Sequence, residues 1–164
     1  MCASSSDLLF GSHLGRLQAE TPLSRLCRLA EPPLNSKLHA VTDGQGRPVV
    51  MLLTEGQASD YRGAALLLNA LPPAKEMIAD KGYDGNSFRD ALAERGIAAC
   101  IPSKRNRKIA LPFDPILYRQ RHKIENMFGR LKDWRRIHTR YDRCAHTFFS
   151  AICIAATVIF WLGQ

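Results

Sequence analysis

A mixed β-sheet with helices on its faces is the fold class the sequence predicts, and three observations predict it. From residue 37 onward, short apolar runs alternate with amphipathic stretches in the order hairpin, helix, strand, helix, strand, basic loop, helix, helix. The chain has 164 residues, 46% hydrophobic and 23% charged, which suffices for one core of ordinary domain size and not for two. Between Leu117 and Arg136, apolar and polar residues separate into two stripes at helical spacing.

Each element has a local cause. Leu38 to Thr42 reads as a strand, Asp43-Gly44-Gln45-Gly46 as a hairpin turn, and Pro48 to Thr54 as the returning strand. Asp60 is placed to cap a helix that Pro72 and Pro73 stop near Leu71. Glu76 to Ala79 forms a short strand that delivers Asp80 at its C-terminal end. Asn86 or Ser87 opens a helix running to Arg95, and Gly96 closes it. Ile97 to Ile101, bounded by Gly96 and Pro102, fits a buried strand. A basic loop from Ser103 to Pro115 leads to the two-striped helix, then a turn near 139–143 and an apolar C-terminal helix. Residues 1–34 differ in texture. They carry Ser4, Ser5 and Ser6, Pro22, Pro32 and Pro33, and one short helical pattern through Leu23, Leu26, Cys27 and Ala30. This predicts a poorly ordered leader with no strand, followed by a domain over 35–164.

The basic charge is concentrated in one segment. Between Lys104 and Arg143 lie thirteen Lys or Arg against four acids, which leaves the rest of the chain slightly negative although the total is +8. A one-sided cluster of this kind favours a polyanion, because neutralising phosphates releases condensed counterions. Nucleic acid is therefore the expected partner. The five cysteines are odd in number, widely spaced and contain no C-x-x-C pair, which excludes a disulfide framework and a zinc knuckle and suits a reducing, cytoplasmic setting. No export signal is expected. The apolar run Phe148–Leu162 is shorter than the ~20 residues of a membrane span and is read as a buried helix, with no membrane partner.

The chemistry-bearing pattern is Tyr118-x2-Arg121-x3-Glu125-x6-Lys132. At about 100° per residue these four side chains fall within roughly 60° of arc, with Arg136 on the same line. A second stripe, Leu117, Ile124, Met127, Phe128 and Leu131, anchors the helix on a core. One carboxylate thus stands in a row of cations. Hard divalent ions need carboxylate oxygens, and Asp80 and Glu125 are the acids placed for them. Arg121 would meet a phosphate as a bidentate fork and Lys132 as a point charge, while Tyr118 could hydrogen-bond a phosphate or stack on an unpaired base. Lys104, Arg105, Arg107 and Lys108 suit a phosphate-contacting loop or a merely solvated one. Plainer alternatives remain open on spacing alone: Asp80 as a turn cap before Gly82, and Glu125 as an i,i+4 partner of Arg121.

These residues resemble a known family, the bacterial insertion-sequence transposases of the DDE class, insertion-sequence-five type. The Tyr-Arg-Glu-Lys quartet is that group's signature, and SKLHAVTDGQGRP, LTEGQASDY, ADKGYDGNSFRDAL, IPSKRNRK and LYRQRHKIENMFGRLKDWRRIHTRYDR are similar to its blocks in order. The resemblance spans roughly residues 35–162. It implies an RNase H-like fold, magnesium or manganese dependence, and cut-and-paste strand transfer on double-stranded DNA at element ends and targets. On that pattern Asp80 matches the second catalytic acid and Glu125 the third. The first catalytic aspartate of the family lies on an upstream strand, and residues 1–34 do not resemble that region. Asp43 sits in a turn, where an aspartate has an ordinary structural use. The resemblance therefore implies an N-terminally truncated or frame-disrupted copy, incomplete at its N-terminal strand. Such a copy would be inactive alone, or would serve as a DNA-binding remnant, as a homo-oligomer or as a partner of a complementing transposase chain.

Overall fold

The computed structural model describes residues 7–16, 35–140 and 142–162. Five strands form one sheet: β1 (Asp7–Arg16), β2 (Asn35–Thr42), β3 (Pro48–Glu55), β4 (Glu76–Ile78) and β5 (Ala98–Cys100). Their order is β3-β2-β1-β4-β5, with β1 antiparallel to β2 and parallel to β4. The remaining pairs are β2–β3, antiparallel, and β4–β5, parallel.

This order corrects the expectation that residues 1–34 hold no strand and that the sheet lacks its first one. β1 is its central strand. Leu8, Leu9 and Phe10 are buried on both faces, and a strand covered on both sides needs no polar alternation, which is why its sequence does not read as one. The edges are instead β3 and β5. The short helical pattern around Leu23–Ala30 lies outside the described residues.

Two helical layers cover the sheet. On one face, α1 (Asp60–Leu68) and α2 (Asn86–Glu94) pack Ala64, Leu67, Phe88 and Leu92 against Leu8, Phe10, Met77 and Ala79. Ser59, not Asp60, caps α1 through its hydroxyl, and Asp60 instead pairs with Lys37 at 3.1 Å. A short α3 (Pro115–Tyr118), capped by Asp114 and followed by a 3-10 turn over Arg119–Arg121, leads into α4 (His122–Lys132). After it come α5 (Arg135–Thr139) and α6 (Ala145–Thr157), the last extended by a π-helical turn over Val158–Leu162. On this second face, Ile124, Met127 and Leu131 of α4 and Phe148, Ile152 and Ala155 of α6 bury Leu9, Leu38, Ala40 and Ile78. The apolar stripe thus anchors α4 as its spacing requires. Truncating Leu131, which is 1% exposed, to Ala should lower unfolding free energy by about 2–5 kcal/mol in a denaturant melt, through lost transfer energy and the cavity left behind.

Two further expectations change. The quartet helix does not continue to Arg136, because Trp134 takes an extended conformation (φ −77°, ψ 106°) and separates α4 from α5. The C-terminal helix is buried along one side only. Ala145–Leu162 is 18 residues long and apolar enough to cross a membrane by length and composition; Phe148, Ile152 and Phe160 are core, whereas Ile154, Trp161 and Leu162 are exposed.

Candidate functional site

Asp80 emerges where β4 ends. Ala79 still bonds to Cys100 across the parallel pair, and Asp80 then turns out of the sheet to cap the 3-10 turn Lys81–Tyr83, accepting the Lys81 amide at 2.8 Å. The turn-cap role is therefore real. It does not use up the carboxylate, whose other oxygen accepts Arg121 Nη2 at 3.3 Å. Arg121 Nη1 donates to Glu125 Oε1 at 2.6 Å, which realises the i,i+4 pair as well. One guanidinium thus bridges the two acids, and Asp80 and Glu125 face the same space. Tyr118 completes the group, its hydroxyl donating to Asp80 Oδ1 at 3.4 Å.

The protonation states follow from this packing. Burial opposes the Arg121 charge, but Asp80 and the bond to Glu125 outweigh it and raise the guanidinium above its ordinary value. Burial and the adjacent Asp80 charge push the Tyr118 phenol up, so it stays a donor at neutral pH.

Asp80, Arg121 and Glu125 line a cleft of about 340 Å³ that also includes Gly11, Asp60, Ile124 and Lys132. Gly11 holds a position that sequence reasoning missed. In the parallel register Leu9 lies beside Ile78, the last residue of β4, and two residues beyond each of them Gly11 and Asp80 line the same cleft. A Cβ built at Gly11 would point to α4, 3.0 Å from Ile124 Cδ1 and 3.2 Å from Phe128 Cε2. The floor of the cleft beside the two acids therefore has no side chain at residue 11. Among the described residues, no three His, Cys, Asp or Glu side chains gather closely enough to hold a metal ion.

The other candidates divide. Arg136 is drawn away into a bidentate pair with Asp142, both bonds at 2.8 Å, on the far side of the Trp134 break. Arg107 is held by Asp84 at 3.0 Å and by Asn86 at 2.8 Å, and Lys104 stacks on the Tyr61 ring at 4.5 Å. Both brace the basic loop. Arg105 and Lys108 are exposed and keep their charges at the surface. Asp43 closes its hairpin turn, accepting the Gln45 and Arg47 amides at 2.9 Å, which bears out its structural reading.

Comparison with known proteins gives concordant findings. The family described as "Transposase DDE domain" matches residues 34–161. A putative transposase for insertion sequence element IS6501 from Brucella ovis is 35% identical over 130 residues, covering 79% of this chain and 99% of the relative. A putative transposase for insertion sequence element IS402 from Burkholderia cepacia is 28% identical over 137 residues, covering 77% of this chain and 63% of the relative. The HTLV-2 integrase catalytic core domain, solved in complex with magnesium in a dimeric form, superposes with a TM-score of 0.59 at 12% identity, covering 97% of this chain and 88% of that one. The fold is RNase H-like.

Proposed function

Because the chain belongs to the DDE-domain family of insertion-sequence transposases, we propose that it engages double-stranded DNA at element ends through the Tyr118–Arg121–Lys132 face and does not by itself carry out strand transfer. The observation that carries this reading is the pairing of Asp80 and Glu125 through one arginine, beside a strand residue, Gly11, that offers no third acid.

Asp80 and Glu125 are the side chains that would hold a magnesium or manganese ion. Both carboxylates are partly exposed and supply the hard oxygens such ions require, so they suit the metal in kind but fall short in number. A bound ion would supply polarisation of a phosphodiester oxygen. The protein's own groups then have separable roles. Arg121 neutralises the two carboxylates and can turn its fork to a phosphate, Lys132 adds a point charge at the same cleft, and Tyr118 donates from its hydroxyl. Arg105 and Lys108 extend the contact along the backbone of the DNA. This reading sets the protein in the cytoplasm, alone, as a homo-oligomer or as the partner of a complementing transposase chain.

The test uses purified chain and an element-end duplex. Binding should weaken steeply with salt, persist without Mg²⁺, and lose about one unit of the log–log salt slope in Arg121→Gln. No Mg²⁺-dependent nicking should appear. Nicking that Mg²⁺ induces in the natural chain, and that Asp80→Ala abolishes, would overturn the second half of the proposal.

A further inference from the structure

A second cleft, of about 430 Å³, lies on a different flank of α4 from the paired acids, between the β2–β3 turn, α4 and the C-terminal helix. Gln45, Arg47, Lys123, Asn126, Arg130 and Phe160 line it, and no acidic side chain among the described residues does. The three cations are fixed in different ways. Arg47 is neutralised by Asp43 at 2.7 Å and lies over the Trp161 ring at 4.8 Å. Lys123 donates to the Gly44 carbonyl at 2.6 Å and to Gln120 Oε1 at 2.9 Å. Arg130 donates to the Ile159 carbonyl at 3.2 Å and covers the Phe160 ring at 4.6 Å. The acceptors of Lys123 and Arg130 are neutral, and no acid among the described residues pairs with either charge, while the positions of both are held.

The walls are close-fitting as well. Gly46 sits in the left-handed region at φ +82°, and a Cβ there would meet the Lys123 carbonyl oxygen at 3.2 Å, so the turn is seated directly on α4. Lys123 and Arg130 are seven residues apart, about 10 Å along the helix axis, a separation that suits two different phosphates of a backbone and not a single small anion.

We propose that this cleft is a second nucleic-acid contact, in which Lys123 and Arg130 grip the phosphate backbone of DNA independently of base sequence, on a separate flank of α4 from the Asp80–Glu125 cleft. The inference rests on the reading that the chain handles DNA, but it assigns a surface which that reading does not use. Two cation pairs, Arg121 of the preceding 3-10 turn with Lys132 and Lys123 with Arg130, would let the α4 segment hold two stretches of backbone at once.

Fluorescence anisotropy of a 30-base-pair duplex across a salt series tests it, with circular dichroism melts as the folding control. The double variant Lys123→Gln/Arg130→Gln should reduce the slope of log K against log salt by about 2, one for each lost phosphate contact. Arg130→Lys should keep the slope. Asn126→Asp, at an exposed position, puts a negative charge into the cleft without removing a cation and should weaken binding about fivefold at low salt. It stays decisive if the double variant fails to fold. Unchanged affinity and slope in these variants, with a loss in Arg121→Gln, would refute the second contact and leave the proposed function standing. No binding by the natural chain at any salt would remove both. Tighter capture of an acidic peptide than of DNA by this cleft would also count against the proposal.

Discussion

Asp84→Ala should lower the unfolding free energy by about 3–5 kcal/mol and the melting temperature by roughly 10 °C, the largest loss expected from any single polar side chain in this protein. Asp84 is a fully buried carboxylate that accepts four hydrogen bonds from three neighbours: Arg89 at 2.9 Å, Arg107 through two nitrogens at 3.0 Å, and the Lys104 amide at 2.8 Å. Removing it strands two half-buried guanidiniums and leaves the Arg107–Asn86 bond as the remaining side-chain tie between the basic loop and α2 among the described residues. The same group sets a pH dependence. Burial alone would raise the Asp84 carboxyl, but the bonds from Arg107, Lys104 and Arg89 prevail and hold it well below the ordinary carboxylate range. A depressed folded-state value stabilises the protein above the unfolded value, near pH 4, and that stabilisation disappears as pH falls through the folded one. Thermal melts of natural chain and variant should therefore differ by a constant amount between about pH 5 and 7 and converge in strong acid. A difference that persists unchanged at pH 2 would contradict this account.

The second large effect is a gain. Gly11→Asp should confer Mg²⁺ binding on the cleft, seen as a melting temperature that rises with magnesium, by about 5–10 °C at one hundred times the dissociation constant. The added side chain leaves the strand toward α4 and brings a further carboxylate to Asp80 and Glu125, which the cleft's remaining acid, Asp60, paired with Lys37, does not join in a metal-holding group. Its Cβ presses on the ends of Ile124 and Phe128, flexible groups that can shift, at an overpacking cost of about 1–3 kcal/mol in the absence of metal. Adding Asp80→Ala should erase the magnesium response. A folded Gly11→Asp chain that is indifferent to magnesium would show that residue 11 is not the position the cleft is missing.

Much of this architecture is legible in the sequence because its causes are local. The hairpin turn at Asp43, the proline stop after α1, the apolar run of β4 and the periodicity of α4 each depend on residues within a few positions of one another. The approach of Asp80 to Glu125 is legible only in combination, since spacing alone gives each acid a plain role, and both plain roles are in fact filled. What sequence reasoning misses is non-local. β1 carries only Leu8, Leu9 and Phe10 before Gly11 and Ser12, and its strand character comes from being hydrogen-bonded on both sides by β2 and β4. Helical phase continues smoothly through Asp133 and Trp134 to Arg136, so nothing in the periodicity marks the break there. Arg107 looks available until Asp84, twenty-three residues earlier, is found beside it.

The place of β1 in the sheet has a consequence for any shorter form of this protein. The β2–β3 hairpin and the parallel β4–β5 pair share no ladder with each other; among the described residues their hydrogen bonding into one sheet runs through β1. The segment over 34–161, which by itself carries the family match, would therefore hold two ribbons joined only by the helices packed across them, with newly unpaired inner margins. The ten residues Asp7–Arg16 act as the keystone of the sheet, and proteolysis or initiation downstream of them would convert one continuous surface into two sticky halves.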